Sequence, residues 1–382
     1  MADQPERQGC SGPADRSGHL QVLVLQGGGA LGAYHLGVFE ELVAYGIAPD
    51  WVAGISIGAI NAAIIAGNRP KDRLPALERF WERVSSGLAP LVPLPDGFAR
   101  DLWSEGAAFW VAAAGVPGFF RPRFPPPKLA PRGSEGAVSY YDMAPLAETL
   151  DELVDWDWLN DGPVRLSVGA VQVESGRIHF FDSRGGRDQC RIGPAHVLAS
   201  AALPPAFAPV LVDDAWYWDG GIASNAPIQH VLDNLAEANK NIFQVDLFPA
   251  EGPLPETLLD VETRAQDIRF STRTRLNTAR EVELSRARAL VRRLLEDCNP
   301  ALDRLAEEEV ATLRAFASER RVEIAQIIYR DKAAGGRGRG HEFSRPTMEA
   351  HRAAGRRDAA RALASRDWRQ PPTPGDVRCP GL

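Results

Sequence analysis

The sequence predicts an α/β protein with a mostly parallel central sheet, followed by a helical C-terminal extension. Three observations carry this. Two β-turn-α units follow one another between His19 and Ala66, each turning on glycines. Strand signals return at Val164 to Val173, Ile178 to Phe181 and Asn241 to Leu247. After about Pro255 the composition changes to long charged stretches with helical spacing. Successive β-turn-α units place strands side by side in parallel, with helices packed on the sheet.

The first unit, HLQVLVLQGGGALGAYHLGVFEELVAYGI, is a β-branched apolar run, a glycine cluster and then apolar residues at helical spacing (Leu36, Phe39, Leu42, Val43). The second has Trp51 to Ile55 as strand, Ser56 at the turn and Ile57 to Ala66 as a buried helix. Residues 87 to 135 are rich in Pro, Gly and aromatics and read as a long surface excursion over the sheet. Val164 to Val173 and Ile178 to Phe181 form a hairpin through Glu174-Ser175-Gly176-Arg177. Helices are expected from about Pro194 to Ala202 and from Ile228 to Ala238. Beyond Pro255, PETLLDVETRAQDI, AREVELSRARALVRRLLED and ALDRLAEEEVATLRAFASERRVEIAQIIYR read as amphipathic helices laced with Glu/Arg pairs. A last helix is expected around Met348 to Ala364. The domain reading is a disordered leader (1–18), a main α/β domain (19–250), a helical extension (251–370) and a tail (371–382).

Composition narrows the function classes. The 382 residues are 45% hydrophobic and 24% charged, which excludes a disordered polyanion or a coiled coil. Lys plus Arg is 43 against 50 for Asp plus Glu, a net charge of −7, which argues against nucleic acid as the main partner. Cys10, Cys190, Cys298 and Cys379 form no metal-ligand cluster or disulfide framework, so no metal is implied and a reducing cytoplasm fits best. The polar N-terminus lacks the apolar core of about 7 to 15 residues that a secretory signal carries. The most apolar stretch, Phe109 to Phe120, has 12 residues and is interrupted by Gly115, Pro117 and Gly118. A membrane span needs roughly 20.

Three groups of residues carry chemistry. Gly54-Ile55-Ser56-Ile57-Gly58 is a G-x-S-x-G between strand and helix, the context in which that motif presents a nucleophilic serine. Any side chain at 54 or 58 would collide with neighbouring backbone, and Ser56 is held on a strained corner at a helix N-terminus. The alternative is a serine that only caps the helix. Gly27-Gly28-Gly29-Ala30-Leu31-Gly32 offers side-chain-free amides to an oxyanion or a phosphate, or simply packs tightly. Its Gly27-x-Gly29-x-x-Gly32 spelling matches a dinucleotide fingerprint, and Asp50 falls near the position about 20 residues on where a ribose-binding acid belongs. Asp219-Gly220-Gly221 delivers a carboxylate at the end of the aromatic run Trp216-Tyr217-Trp218, or is only a hairpin turn. None of the seven histidines lies in a comparable motif; His179, His196 and His230 read as structural.

The three motifs, in that order and on those elements, resemble the patatin-like phospholipases. Ala199-Ser200-Ala201-Ala202-Leu203-Pro204 with Phe207 and Pro209, and Asn225 with Pro227, are similar to that family's pattern. The resemblance covers about residues 20 to 247. It implies a three-layer sandwich and a serine acyl hydrolase that cleaves lipid esters without a cofactor. It further implies a Ser-Asp dyad, with Ser56 as nucleophile and Asp219 as base, and an oxyanion hole formed by Gly27, Gly28, Gly29 and Ile57. Many relatives carry a basic residue where this chain has Leu31, so no side-chain contact to a phosphate is carried over. Trp216 and Trp218 are candidates to exclude water from Asp219. The partner is a lipid or other ester, with peripheral membrane contact through residues 87–127 as lid or lipid-dipping surface, at the inner face of a cytoplasmic location. Two readings from other classes stand beside it: a nucleotide-binding oxidoreductase using the glycine loop, and a non-catalytic lipid-binding scaffold.

Overall fold

The computed structural model describes residues 19–86, 111, 113–185, 189–224, 226–234, 239–296, 305–317, 322–330 and 342–370. The expected leader and tail, most of the 87–127 excursion and Asn225 lie outside the described residues.

The chain opens with β1 (His19–Leu25), a short 3-10 turn over Gly29–Gly32, α1 (Ala33–Ala44), β2 (Trp51–Ile55), α2 (Ile57–Ala66) and α3 (Arg73–Val84). A small hairpin of β3 (Arg121–Pro122) and β4 (Tyr141–Asp142) encloses the short α4 (Glu135–Val138). Next come α5 (Ala144–Leu153), α6 (Trp156–Asp161), β5 (Arg165–Gln172), β6 (Ile178–Asp182) and α7 (Pro194–Ala201). β7 (Val210–Val212), β8 (Ala215–Asp219), α8 (Ile228–Asp233) and β9 (Asn239–Asp246) follow. The chain ends with α9 (Leu258–Glu296), α10 (Glu307–Phe316), β10 (Val322–Ile328) and α11 (Arg345–Leu363).

Among the described residues the main sheet has eight strands. β10, β9, β1, β2 and β5 run parallel in that order, and β6, β7 and β8 are antiparallel additions. A parallel sheet must be covered on both faces, and alternation along β1 meets that demand. Val22 and Val24 pack with Ile228 and Val231 of α8, while Leu23 and Leu25 pack with the core of α1 and α2. Helices on both faces of a mostly parallel sheet give the expected three layers.

The register of β5 fixes the geometry of everything that follows. Residues 167–169 of β5 pair with both β2 and β6, so those two strands lie on opposite edges. Ala170 and Val171 pair with both β6 and β8, so β8 must share the edge that β2 uses. β2 therefore ends where Ile55 meets Gly169, and β8, arriving from the other direction, ends where Asp219 meets Ala170. The two strands run toward each other along one edge and stop end to end.

The C-terminal region differs from its sequence reading in two ways. The stretches read as two helices, PETLLDVETRAQDI and AREVELSRARALVRRLLED, fall in one 39-residue helix, α9. The run read as the end of a third helix is instead β10, which pairs in parallel with β9 from Val322 to Ile328. Its VEIAQII sequence is β-branched and largely buried on both faces, and the buried Glu323 forms an ion pair with Arg366. The sheet thus continues beyond residue 250. α11 packs directly on α1: a Cβ on Gly37 would lie 1.9 Å from the Arg352 carbonyl oxygen, and one on Gly355 would lie 2.2 Å from that of Tyr34. Arg352 also pairs with Glu40 of α1 and Glu78 of α3.

Candidate active site

Ser56 occupies the corner between β2 and α2 with φ 58° and ψ −128°, a left-handed conformation that costs a non-glycine residue on the order of 1–3 kcal/mol. The strain persists because the corner is enclosed by backbone. A Cβ on Gly54 would sit 2.3 Å from the Gly58 carbonyl oxygen, and one on Gly58 would sit 2.3 Å from that of Leu25. The Ser56 hydroxyl makes no capping bond to α2, so the capping alternative fails. Ser56 lines the same cavity as Asp219, and its hydroxyl favours the charged form of the carboxyl there.

Asp219 is 2% exposed. Its backbone N–H donates to the Ala202 carbonyl at 3.0 Å, and its Oδ1 accepts the Gly221 N–H at 2.7 Å. Burial pushes the carboxyl up to about 6, against the pull of the Ser56 hydroxyl and of the hydrogen bond from the Gly221 N–H. Such a group holds a proton far better than a free carboxylate, whose ordinary value is 3.8.

Gly27, Gly28 and Gly29 lie across the same cavity, about 500 Å³ in volume, as Ser56, Ile57 and Asp219. The structure therefore brings together all six residues singled out as site candidates. Gly29 begins the 3-10 turn and Ile57 begins α2, positions whose N–H groups have no acceptor within their own helix. Leu31, in place of a basic residue, is 1% exposed in the core. The rest of the wall is apolar and aromatic: Phe119, Phe120, Phe207, Phe248, Phe270 and Phe343 all reach the cavity.

Trp216 and Trp218 do not shield Asp219. Alternation along β8 puts Tyr217 and Asp219 on its buried face, while Trp216 is 39% exposed and neither tryptophan lines the cavity. Asp50 is equally misplaced for a ribose. It precedes β2, at the end of the parallel sheet opposite to the glycine loop after β1, and its Oδ2 accepts the Gln21 N–H at 2.9 Å. The nucleotide reading loses its acid.

No histidine among the described residues lines the cavity. His230 instead reaches the buried Asp182 at 3.3 Å. Asp182 also accepts Arg165 at 2.7 Å and Ser167 at 2.7 Å, a polar knot joining β5, β6 and α8.

One residue escaped the motif search. Ser200, 0% exposed on α7, accepts the Ser56 N–H at 3.0 Å and donates to the Gly169 carbonyl at 2.6 Å. It stands in the Ala199 to Pro204 run, but no local pattern announces a partner 144 positions away.

A serine on a strand-to-helix corner above a mostly parallel sheet, with apolar space beside it, defines the class of α/β serine hydrolases. The chain belongs to the patatin-like phospholipase family, whose profile matches residues 23–232, and residues 268–375 match a second profile described as patatin phospholipase. It is 38% identical over 79 residues to patatin-like phospholipase domain-containing protein 6 of Mus musculus, a stretch that is 20% of this chain and 6% of that protein. It is 42% identical over 61 residues to triacylglycerol lipase SDP1L of Arabidopsis thaliana, 16% of this chain and 7% of that one. These matches thus span under a tenth of the curated relatives' own length. Among solved structures the chain aligns with VipD from Legionella pneumophila at 15% identity and a TM-score of 0.39, over 91% of this chain and 67% of VipD. No helix among the described residues is long and apolar enough to cross a membrane.

Proposed function

We propose that the chain is a serine acyl hydrolase that cleaves carboxylic ester bonds of lipids through Ser56, Asp219 and an acyl-enzyme. The observation that carries this reading is the convergence of Ser56, on its strained corner, and the buried Asp219 carboxyl on one largely apolar cavity, at the facing ends of β2 and β8.

Asp219 accepts the Ser56 proton as Oγ attacks the ester carbonyl. The N–H groups of Gly27, Gly28, Gly29 and Ile57 stabilise the oxyanion, and the α2 N-terminus favours the same charge. Collapse of the tetrahedral intermediate expels the alcohol, which takes the proton from Asp219. Water then attacks the acyl-serine with Asp219 again as base, releasing the fatty acid and restoring Ser56. The acyl chain lies along the phenylalanine-lined wall. Lipid is drawn from an aggregate, and the end of the 87–127 excursion, which brings Phe119 and Phe120 to the cavity, is the side that meets it.

Ser56→Ala and Asp219→Asn are each expected to abolish ester hydrolysis, with the far-UV circular dichroism of the wild type. A fluorophosphonate should label the wild type and leave Ser56→Ala unlabelled. Turnover near that of the wild type in either variant rejects the dyad. Saturable NAD(P) binding without labelling would favour the oxidoreductase, and lipid binding without turnover on any ester would favour the scaffold.

A further inference from the structure

The cavity beside Ser56 has a neighbour. A second cavity of about 250 Å³ is lined in part by Val84, Ala114, Pro117 and Pro145. Val111, Phe120 and Phe343 line both. These three side chains are the partition between the two spaces.

Phe343 belongs to the C-terminal region, just before α11, and is packed between the two cavities. Its ring is 6% exposed and lies 5.7 Å from that of Phe119. Phe119 in turn meets Phe120 at 5.6 Å, and Phe120 meets Phe207 at 5.5 Å. Directly after it, the Ser344 N–H donates to Glu342 Oε1 at 2.9 Å, and α11 is fixed on α1 by the glycine contacts described above. A ring in such a position is a wall and not a loose flap.

We propose that Phe343 is the end stop of the acyl pocket, so that the C-terminal region sets the length of the fatty acyl chain the site accepts. The inference rests on the lipid-ester reading of the site. With the ring in place, an acyl chain is confined to the space next to Ser56. Without it, the second cavity becomes a continuation of the first, and added methylenes are buried against Val84 and Pro145 instead of being turned back. The neighbouring cavity is apolar enough to receive them.

The experiment compares kcat/KM on p-nitrophenyl esters from butyrate to palmitate. Phe343→Ala should raise the palmitate-to-octanoate ratio roughly 10-fold, a ratio that cancels any change common to all the esters. Phe343→Trp should lower that ratio. Ala114→Trp, at the exposed rim of the second cavity, narrows that space: it should reduce the gain in the Phe343→Ala background and do little in the wild type, because Ala114 lines only the second cavity. An unchanged ratio in a folded, active Phe343→Ala variant overturns the proposal, as does a gain that Ala114→Trp fails to reduce. If Phe343→Ala does not fold, Phe343→Leu and Phe343→Trp carry the comparison in opposite directions. A wild type inert on every ester would reject the hydrolase reading alone. The end stop would then be read from fatty-acid affinities graded by chain length, in which Phe343→Ala must extend the optimum.

Discussion

The Ser200 hydroxyl bridges Ser56 and Gly169, accepting the backbone N–H of the first at 3.0 Å and donating to the carbonyl of the second at 2.6 Å. One buried side chain thereby ties the strained corner to the strand edge on which Asp219 also ends. Removing it leaves the Ser56 N–H and the Gly169 carbonyl without this partner, at a cost of about 1–3 kcal/mol. Ser200→Ala should lower the free energy of unfolding by that amount, measured by urea denaturation. Because the corner relaxes while the apolar wall is untouched, kcat should fall at least about 10-fold with KM little changed. A loss of stability without a loss of kcat would make Ser200 a packing residue only.

Asp219 gives the activity an acid limb. Below about 6 the carboxyl is protonated and unable to accept the serine proton, so kcat/KM should rise with pH through that value. A limb centred near the ordinary carboxylate value would show that the site does not desolvate Asp219.

The same carboxyl makes a stability prediction with a definite sign. Its folded value of about 6 exceeds the unfolded 3.8, so the folded protein holds a proton that the unfolded chain releases in this interval. The contribution is full below 3.8 and is lost as pH rises through 6. Above that, the charged group costs the native state on the order of 3 kcal/mol. Asp219→Asn should therefore be more stable than the wild type in urea at pH 8, and the gap should close as pH falls toward 4. Equal stability at both pH values would reject the assignment.

Asp182 lies away from the cavity and serves as a contrast. Burial works to raise its pKa, but hydrogen bonds from His230, Arg165 and Ser167 outweigh it and hold the carboxyl well below the usual range. Asp182→Ala leaves the Arg165 guanidinium partly buried and unpaired, and should cost about 3–5 kcal/mol. Turnover per folded molecule should be unchanged, measured at a temperature where the variant remains folded.

Gly58→Ala tests the corner itself. The new Cβ would lie 2.3 Å from the Leu25 carbonyl oxygen, so backbone must move and about 1–3 kcal/mol or more is lost. Wild-type stability in this variant would mean that α2 is packed less tightly on β1 than the structure has it.

Much of this was legible before any coordinates, for reasons that differ by residue. Gly54, Ser56 and Gly58 form a local pattern whose physics is local: a tight corner excludes side chains, and the sequence records the exclusion. Asp219 stood out because two glycines followed it at a strand end. Ser200 and Phe343 were not legible, since their roles depend on partners brought close only by the fold. β10 was misread because VEIAQII is short, follows a helix and carries a glutamate, and only its pairing with β9 makes a buried strand of it. Trp216 and Trp218 were assigned a role without deciding which face of β8 each one occupies.

The end-to-end meeting of β2 and β8 on β5 has a consequence for how this chemistry can vary. The serine and the carboxylate are indexed by ladder positions Gly169 and Ala170, and a slip of β8 by one residue would turn Trp218 toward the corner and the acid away from it. The spacing of the proposed dyad is therefore quantised: insertions in the connecting loops leave it where it is, and no gradual adjustment of those loops can bring the two groups nearer or farther apart.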